Sequence, residues 1–149
     1  MKHFLIMKAI SGSGKSTIAQ KIAASYDRFI ICSTDNYFMK DGKYCFDPKM
    51  LGQYHSNTLN DVKKYMEKEF DCVILDNTNL KADHIKPYIK LAKEYGYSVT
   101  LIEVDCGLEE AKKRNATRSA DRKIPETVLE SQQQSFRNKF DMDKLLKTI

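Results

Sequence analysis

The stretch LIMKAISGSGKSTIAQ, Leu5 to Gln20, constrains the chain more than any other. An apolar run gives way to Gly12 and Gly14, then Lys15 and Ser16, then a helical pattern. A strand that turns through glycines into a helix aims successive backbone N–H groups, and the positive end of the helix dipole, into one small space. That space suits a phosphate. The pattern is that of a phosphate loop with one departure, since Ala9 stands where a first glycine is usual. Ala9 is expected at the strand's end, before the turn, where a methyl group is tolerated at negative φ. The expected cradle is Ser11, Gly12, Ser13, Gly14, Lys15, Ser16 and Thr17. Lys15 would reach the β- and γ-phosphates of a nucleotide, and the Ser16 hydroxyl would join a Mg2+ shell.

The rest of the chain supplies a frame for such a loop. Apolar runs at Phe4–Ala9, Arg28–Ser33, Cys72–Asp76 and Ser98–Val104 read as strands covered on both faces, the signature of a parallel sheet. Helical patterns lie between them, over Lys15–Ala24, over Asn57–Glu69 and along Ile85, Tyr88, Ile89 and Ala92. Pro87 is expected near the first turn of the third of these, where a missing N–H costs least. Further helices are expected at Leu108–Ala116 and Pro125–Phe136, followed by a tail to Ile149. Alternation of strand and helix predicts an α/β, doubly wound domain. At 149 residues, one domain spanning 1–149 is expected, with no repeats or linkers.

Composition narrows the setting. No apolar run approaches the roughly 20 residues needed to cross a bilayer. The opening FLIMKAI resembles a signal core, yet the phosphate loop follows at once, so it reads as a buried first strand. Cys32, Cys45, Cys72 and Cys106 lie far apart without a C-x-x-C, which suggests reduced thiols and a cytoplasmic protein. His3, His55 and His84 lack metal-ligand spacing, and the formal charge of +5 permits a polyanionic partner without requiring one.

Two acids end strands. Asp35 follows the second strand, at the edge where open α/β sheets bind ligands, and is suited to accept a hydroxyl proton. Its plain alternative is a turn cap. Asp76 ends the third strand, placed to hold Mg2+ through water, and Asn77, Thr78 and Asn79 follow it into the same crevice. Arg114, Arg118 and Arg122 recur at four-residue spacing. If helical, they share one face and would form a lid over the phosphates; otherwise they are a solvated surface.

Taken in order, SGSGKST, STDNYF, DNTNL, KRNATR and KIP resemble the polynucleotide 5′-hydroxyl kinase group of P-loop kinases. The likeness extends to the kinase half of the phage polynucleotide kinases and to related AAA-type ATP-binding kinase-like proteins, over roughly residues 3–136. It implies a P-loop NTPase fold, with a four-stranded parallel sheet flanked by helices and a helical lid. It also implies ATP, Mg2+ and transfer of the γ-phosphate to a hydroxyl. By this likeness Lys15 and Ser16 hold phosphates and metal, Asp35 is the general base, and Arg118 is the lid arginine with Arg114 and Arg122 in support. Thr78, Ile124 and Pro125 match positions near the acceptor. Departures fall at Ala9, at Asn36 in place of a second acid, and at Phe38 in place of an arginine that grips the acceptor's phosphate. No phosphatase half is expected in 149 residues. The favoured acceptor is the 5′ end of DNA or RNA, with Tyr37, Phe38, Tyr44 and Phe46 as a base-stacking pocket. A small-molecule kinase and a nucleotide-binding module without transferase activity stay open.

Overall fold

The computed structural model describes residues Met1–Ile149. Its sheet has four parallel strands, β1 (His3–Lys8), β2 (Phe29–Cys32), β5 (Cys72–Asp76) and β6 (Ser98–Glu103), in the order β2-β5-β1-β6. The central strands carry the longest unbroken burial, and Phe4 to Lys8 and Cys72 to Asp76 are all buried. Alternate residues serve opposite faces. Phe4, Ile6, Val73 and Leu75 pack against α2 (Leu51–Glu67), α3 (Ala82–Glu94) and α6 (Met142–Thr148). Leu5, Met7, Cys72 and Ile74 pack against Ala19 and Ala23 of α1 (Lys15–Ala23). A third cluster joins Ile10 and Leu80 to α4 (Leu108–Thr117) and α5 (Glu126–Arg137) through Ala111, Leu129 and Phe136. Register pairs Met7 with Asp76, so the phosphate loop and the third strand's acid emerge side by side at the C-terminal edge. The result is the expected α/β, P-loop NTPase fold.

Four expectations need correction. Helix α2 begins at Leu51 rather than Asn57, because Asp47 and Pro48 start a short 3-10 turn that leads into it. Its first turns carry Gly52, Gln53, His55 and Ser56, which hide the apolar stripe in the sequence. Pro87 lies inside α3, on an exposed face, and not in the first turn. The loss of its N–H leaves the Asp83 carbonyl without a helical donor. The three arginines do not share a helix face: α4 stops at Thr117, Arg118 is extended with ψ 156, and Arg122 follows a turn on Ser119. The tail forms α6, capped by Asp141 and packed through Leu145.

After β2 the chain makes a 3-10 helix over Thr34–Phe38 and a small hairpin of β3 (Met39–Lys40) and β4 (Lys43–Tyr44). Asp41 and Gly42 both adopt positive φ at its tip, the arrangement an Asp-Gly turn permits. No helix is long and apolar enough to cross a membrane.

Candidate functional site

The phosphate loop has the geometry its sequence implies. Gly12 and Gly14 adopt φ of 79° and 87°, which side-chain-bearing residues rarely occupy. Ala9 is fully buried in the turn from β1, and its N–H donates to the Thr78 carbonyl at 3.1 Å. The methyl thus lies in the core, away from the cradle. The Ser11 amide is taken by Gln132 Oε1 at 2.9 Å, a contact from α5 that sequence reasoning missed. The amides of Gly12 to Thr17 donate to no carbonyl or side chain outside their own helix. Ser13 Oγ is buried without a partner. Unpaired, converging donors at the N-terminus of α1 form a site for an anion.

Beside the cradle, Ser16 Oγ donates to Asp76 Oδ2 at 2.7 Å. Asp76 is buried, its Oδ1 has no hydrogen bond, and the Lys15 ammonium lies 3.5 Å from that oxygen. A hydroxyl and a carboxylate with spare lone pairs suit a Mg2+ that keeps several waters and takes phosphate oxygens. No group of three or more His, Cys, Asp or Glu is placed to hold a metal ion. Arg114 comes down from α4 onto the loop, donating from Nη1 to the Gly12 carbonyl at 3.1 Å and from Nε to Glu110 at 3.2 Å. A Cβ on Gly14 would meet Arg114 Nη1 at 3.2 Å, so glycine admits the arginine as well as the turn.

Across the crevice, Thr34 fixes the 3-10 helix. Its N–H donates to Asn77 Oδ1 at 3.0 Å, and its buried hydroxyl meets Asn77 Nδ2 at 3.1 Å and Thr58 Oγ1 at 2.9 Å. Asp35, the next residue, is exposed and receives the Tyr44 hydroxyl at 3.1 Å. It is not a helix cap. Burial, the Asp35 charge and this hydrogen bond push the Tyr44 phenol up to about 12, against the opposing pull of Arg122 and Arg118. Arg122 lies 5.6 Å from the Tyr44 ring centroid and Arg118 donates to the Arg122 carbonyl, so of the three arginines Arg114 alone touches the phosphate loop.

The expected stacking pocket is partly dismantled. Phe38 is 1% exposed, packed edge-on to Tyr54 at 4.7 Å, and works as core. Tyr37 stacks on Tyr54 and donates to Asp61. Phe46 is 54% exposed and stacked on Tyr44, and Tyr37 and Tyr44 are half-buried. Thr78 lines a polar cleft of about 400 Å³ between α2 and α3, with His55, Ser56, Asn77 and His84. Burial and the neighbouring His84 lower the affinity of His55 for its proton. Ile124 is anchored to α4 by paired hydrogen bonds with Asn115 and packs on the α4–α5 cluster, and Pro125 caps α5. Lys8 is a further surprise: a buried lysine at the end of β1, its ammonium 4.5 Å from the Phe140 ring centroid, with burial lowering its proton affinity.

Comparison with known proteins supplies the relationship. Human NEDD4-binding protein 2 is 39% identical over 101 residues, which are 68% of this chain and 6% of that protein. Mouse 2′,3′-cyclic-nucleotide 3′-phosphodiesterase is 27% identical over 103 residues, 68% of this chain and 24% of the relative. The chain thus spans a small part of the curated relatives it matches. A chain in the structure of the Pnkp1/Rnl/Hen1 RNA repair complex superposes with a TM-score of 0.76 at 23% identity, over 94% of this chain and 46% of that one. That likeness is one of fold. A family model described as an AAA domain matches residues 5–141, from within β1 to the residue before α6. Nearly the whole sheet and its phosphate loop lie inside that match, and the chain belongs to the AAA domain family.

Proposed function

We propose that the chain is an ATP-dependent phosphotransferase that moves the γ-phosphate of ATP to a hydroxyl, with the 5′-hydroxyl of a polynucleotide as acceptor. One observation carries the reading. An anion cradle of unpaired amides and an exposed carboxylate, Asp35, stand at the C-terminal edge of the same sheet. Catalysis of phosphoryl transfer is largely positioning and charge stabilisation, so such a pair supplies most of what is needed.

The loop amides and Lys15 hold the β- and γ-phosphates. Ser16 and Asp76 would hold Mg2+, which would supply charge neutralisation at the phosphate oxygens. Asp35 accepts the proton of the acceptor hydroxyl as its oxygen bonds to the γ-phosphorus, and the bond to the bridging oxygen of ADP breaks. Arg114 stands over the loop, and Arg118 with Arg122 would meet the transferred group from the acceptor side. The polynucleotide acceptor draws support from the motif resemblance, the charge of +5, the exposed Phe46 face and the fold shared with a chain of an RNA repair complex. The cleft holding Thr78 favours a second reading: at about 400 Å³ it suits a single nucleoside or nucleotide.

An acceptor screen with γ-labelled ATP tests both. A 5′-hydroxyl oligonucleotide, a nucleoside 3′-monophosphate and a free nucleoside are compared at two salt concentrations. Preferred use of the oligonucleotide, weakening as salt rises, is expected. Equal use of the nucleoside without salt dependence would leave a small-molecule kinase. Hydrolysis of ATP that no acceptor stimulates would leave a nucleotide-binding module. Cleavage of a 2′,3′-cyclic nucleotide, the activity named for the mouse relative, serves as the counter-assay.

A further inference from the structure

The hairpin after Asp35 reaches the Asp35 carboxylate on one side and the loop after α4 on the other. Its two-residue tip, Asp41-Gly42, sets Tyr44 directly opposite Met39. Met39 follows the 3-10 helix that carries Asp35, so the Tyr44 ring folds back over that carboxylate. The Tyr44 hydroxyl donates to Asp35 Oδ1 at 3.1 Å, and no protein group hydrogen-bonds Asp35 Oδ2. From the other direction the loop after α4 grips the same residue. Asp121 Oδ2 accepts the Tyr44 N–H at 2.9 Å, and the Arg122 guanidinium lies 5.6 Å from the ring centroid. Arg122 also reaches Met39 Sδ at 3.1 Å, and Arg118 Nη1 donates to the Arg122 carbonyl at 3.4 Å. Phe46 stacks on Tyr44 and Phe38 supports its edge, so the ring is held from several sides.

We propose that Tyr44 is a positioning residue: its hydroxyl fixes Asp35 with Oδ2 left free to take the acceptor's proton, and its backbone and ring couple that carboxylate to the Arg118–Arg122 loop. The inference rests on the reading of Asp35 as general base. A free carboxylate on an exposed turn samples many rotamers, and most of them point its oxygens away from a hydroxyl poised for attack. A single fixed hydrogen bond removes that freedom. The phenol keeps its proton at any working pH, since burial and Asp35 hold its ionisation up at about 12. The charged and titratable groups facing this pair are Arg118, Asp121 and Arg122 from the loop and His55 from α2. The same contacts tie the position of the arginine loop to that of Asp35.

The test is a double-mutant cycle of Tyr44→Phe with Asp35→Asn, the phenylalanine keeping the ring and its packing. In the wild-type background Tyr44→Phe should lower kcat roughly tenfold with the KM for ATP unchanged. In the Asp35→Asn background the same change should have no effect, because its effect runs through the carboxylate. An equal loss in both backgrounds, or no loss in either, overturns the proposal. A readout without turnover runs alongside: in ¹³C-tyrosine-labelled protein the Tyr44 ring carbon bonded to the hydroxyl should shift in Asp35→Asn. An unmoved resonance also overturns it. If the wild-type protein phosphorylates no hydroxyl, the transferase reading fails, and the labelled resonance still decides whether Tyr44 holds Asp35. Asp121→Ala, which frees the Tyr44 backbone without touching the phenol, should lower kcat less and in the same direction.

Discussion

On one side of the crevice stand the backbone amides of Gly12 to Thr17, with Lys15 and Ser16 at the start of α1 and the buried Asp76 at the end of β5. On the other side are side chains that three separate segments bring together: Asp35 from the 3-10 helix, Tyr44 from the hairpin, and Arg118 and Arg122 from the loop after α4. The first side is pinned by the core, through Ala9 and the parallel register of β1 with β5. The second is pinned by hydrogen bonds and one aromatic stack near solvent. On the proposed reading the first side meets the triphosphate and the second, closer to solvent, meets the acceptor.

The largest effect should come from the rigid side. Lys15→Ala removes the cation facing the phosphates, and turnover should fall at least roughly 10³-fold, with weaker ATP binding. Near-normal turnover would end the comparison, because the cradle would then not be the ATP site. Asp35→Asn should leave ATP affinity intact and reduce kcat by roughly 10²–10⁴-fold. Equal losses of ATP binding and rate would show that the two sides are not separate. Phe38→Ala sharpens the boundary from within the acceptor segment. Because Phe38 is buried, the change should lower stability by roughly 3–5 kcal/mol in denaturant unfolding. A rise in acceptor KM at unchanged stability would instead restore Phe38 to a stacking role. Ala9→Gly should have the smallest effect, about 1 kcal/mol of lost stability, with kcat and ATP affinity unaltered. A large gain in ATP affinity would mean that the methyl group distorts the cradle after all.

Legibility followed the same boundary. The phosphate loop could be read because its chemistry is local: glycines, lysine and serine are neighbours in sequence, and the same neighbours form the site. The two central strands could be read for a similar reason, since residues buried on both faces leave continuous apolar runs such as CVILD, whereas the edge strands β2 and β6, expected to be covered on both faces, are only partly buried. The start of α2 could not, because Gly52 to Ser56 face the cleft or solvent and break the apolar period. Gln132, which closes the Ser11 amide from 121 residues away, leaves no signal in a single sequence.

The arginines show where sequence ends and tertiary structure begins. Their four-residue spacing would put them on one face if the helix continued. The helix stops at Thr117, whose hydroxyl returns to the Arg114 carbonyl, and the next residues turn on the Ser119 carbonyl. Contacts with Met39 and Tyr44 then hold Arg122 beside the hairpin. Phe38 makes the same point, since inside and outside cannot be told apart in a segment as short as Thr34–Phe38. By itself the sequence determined the α/β order, the phosphate cradle and the two strand-end acids, because periodicity and loop chemistry act over a few residues. Tertiary structure alone decided which arginine meets the phosphate loop, which aromatic becomes core and which tyrosine holds Asp35, because those outcomes depend on residues far apart in the chain that only packing brings into contact.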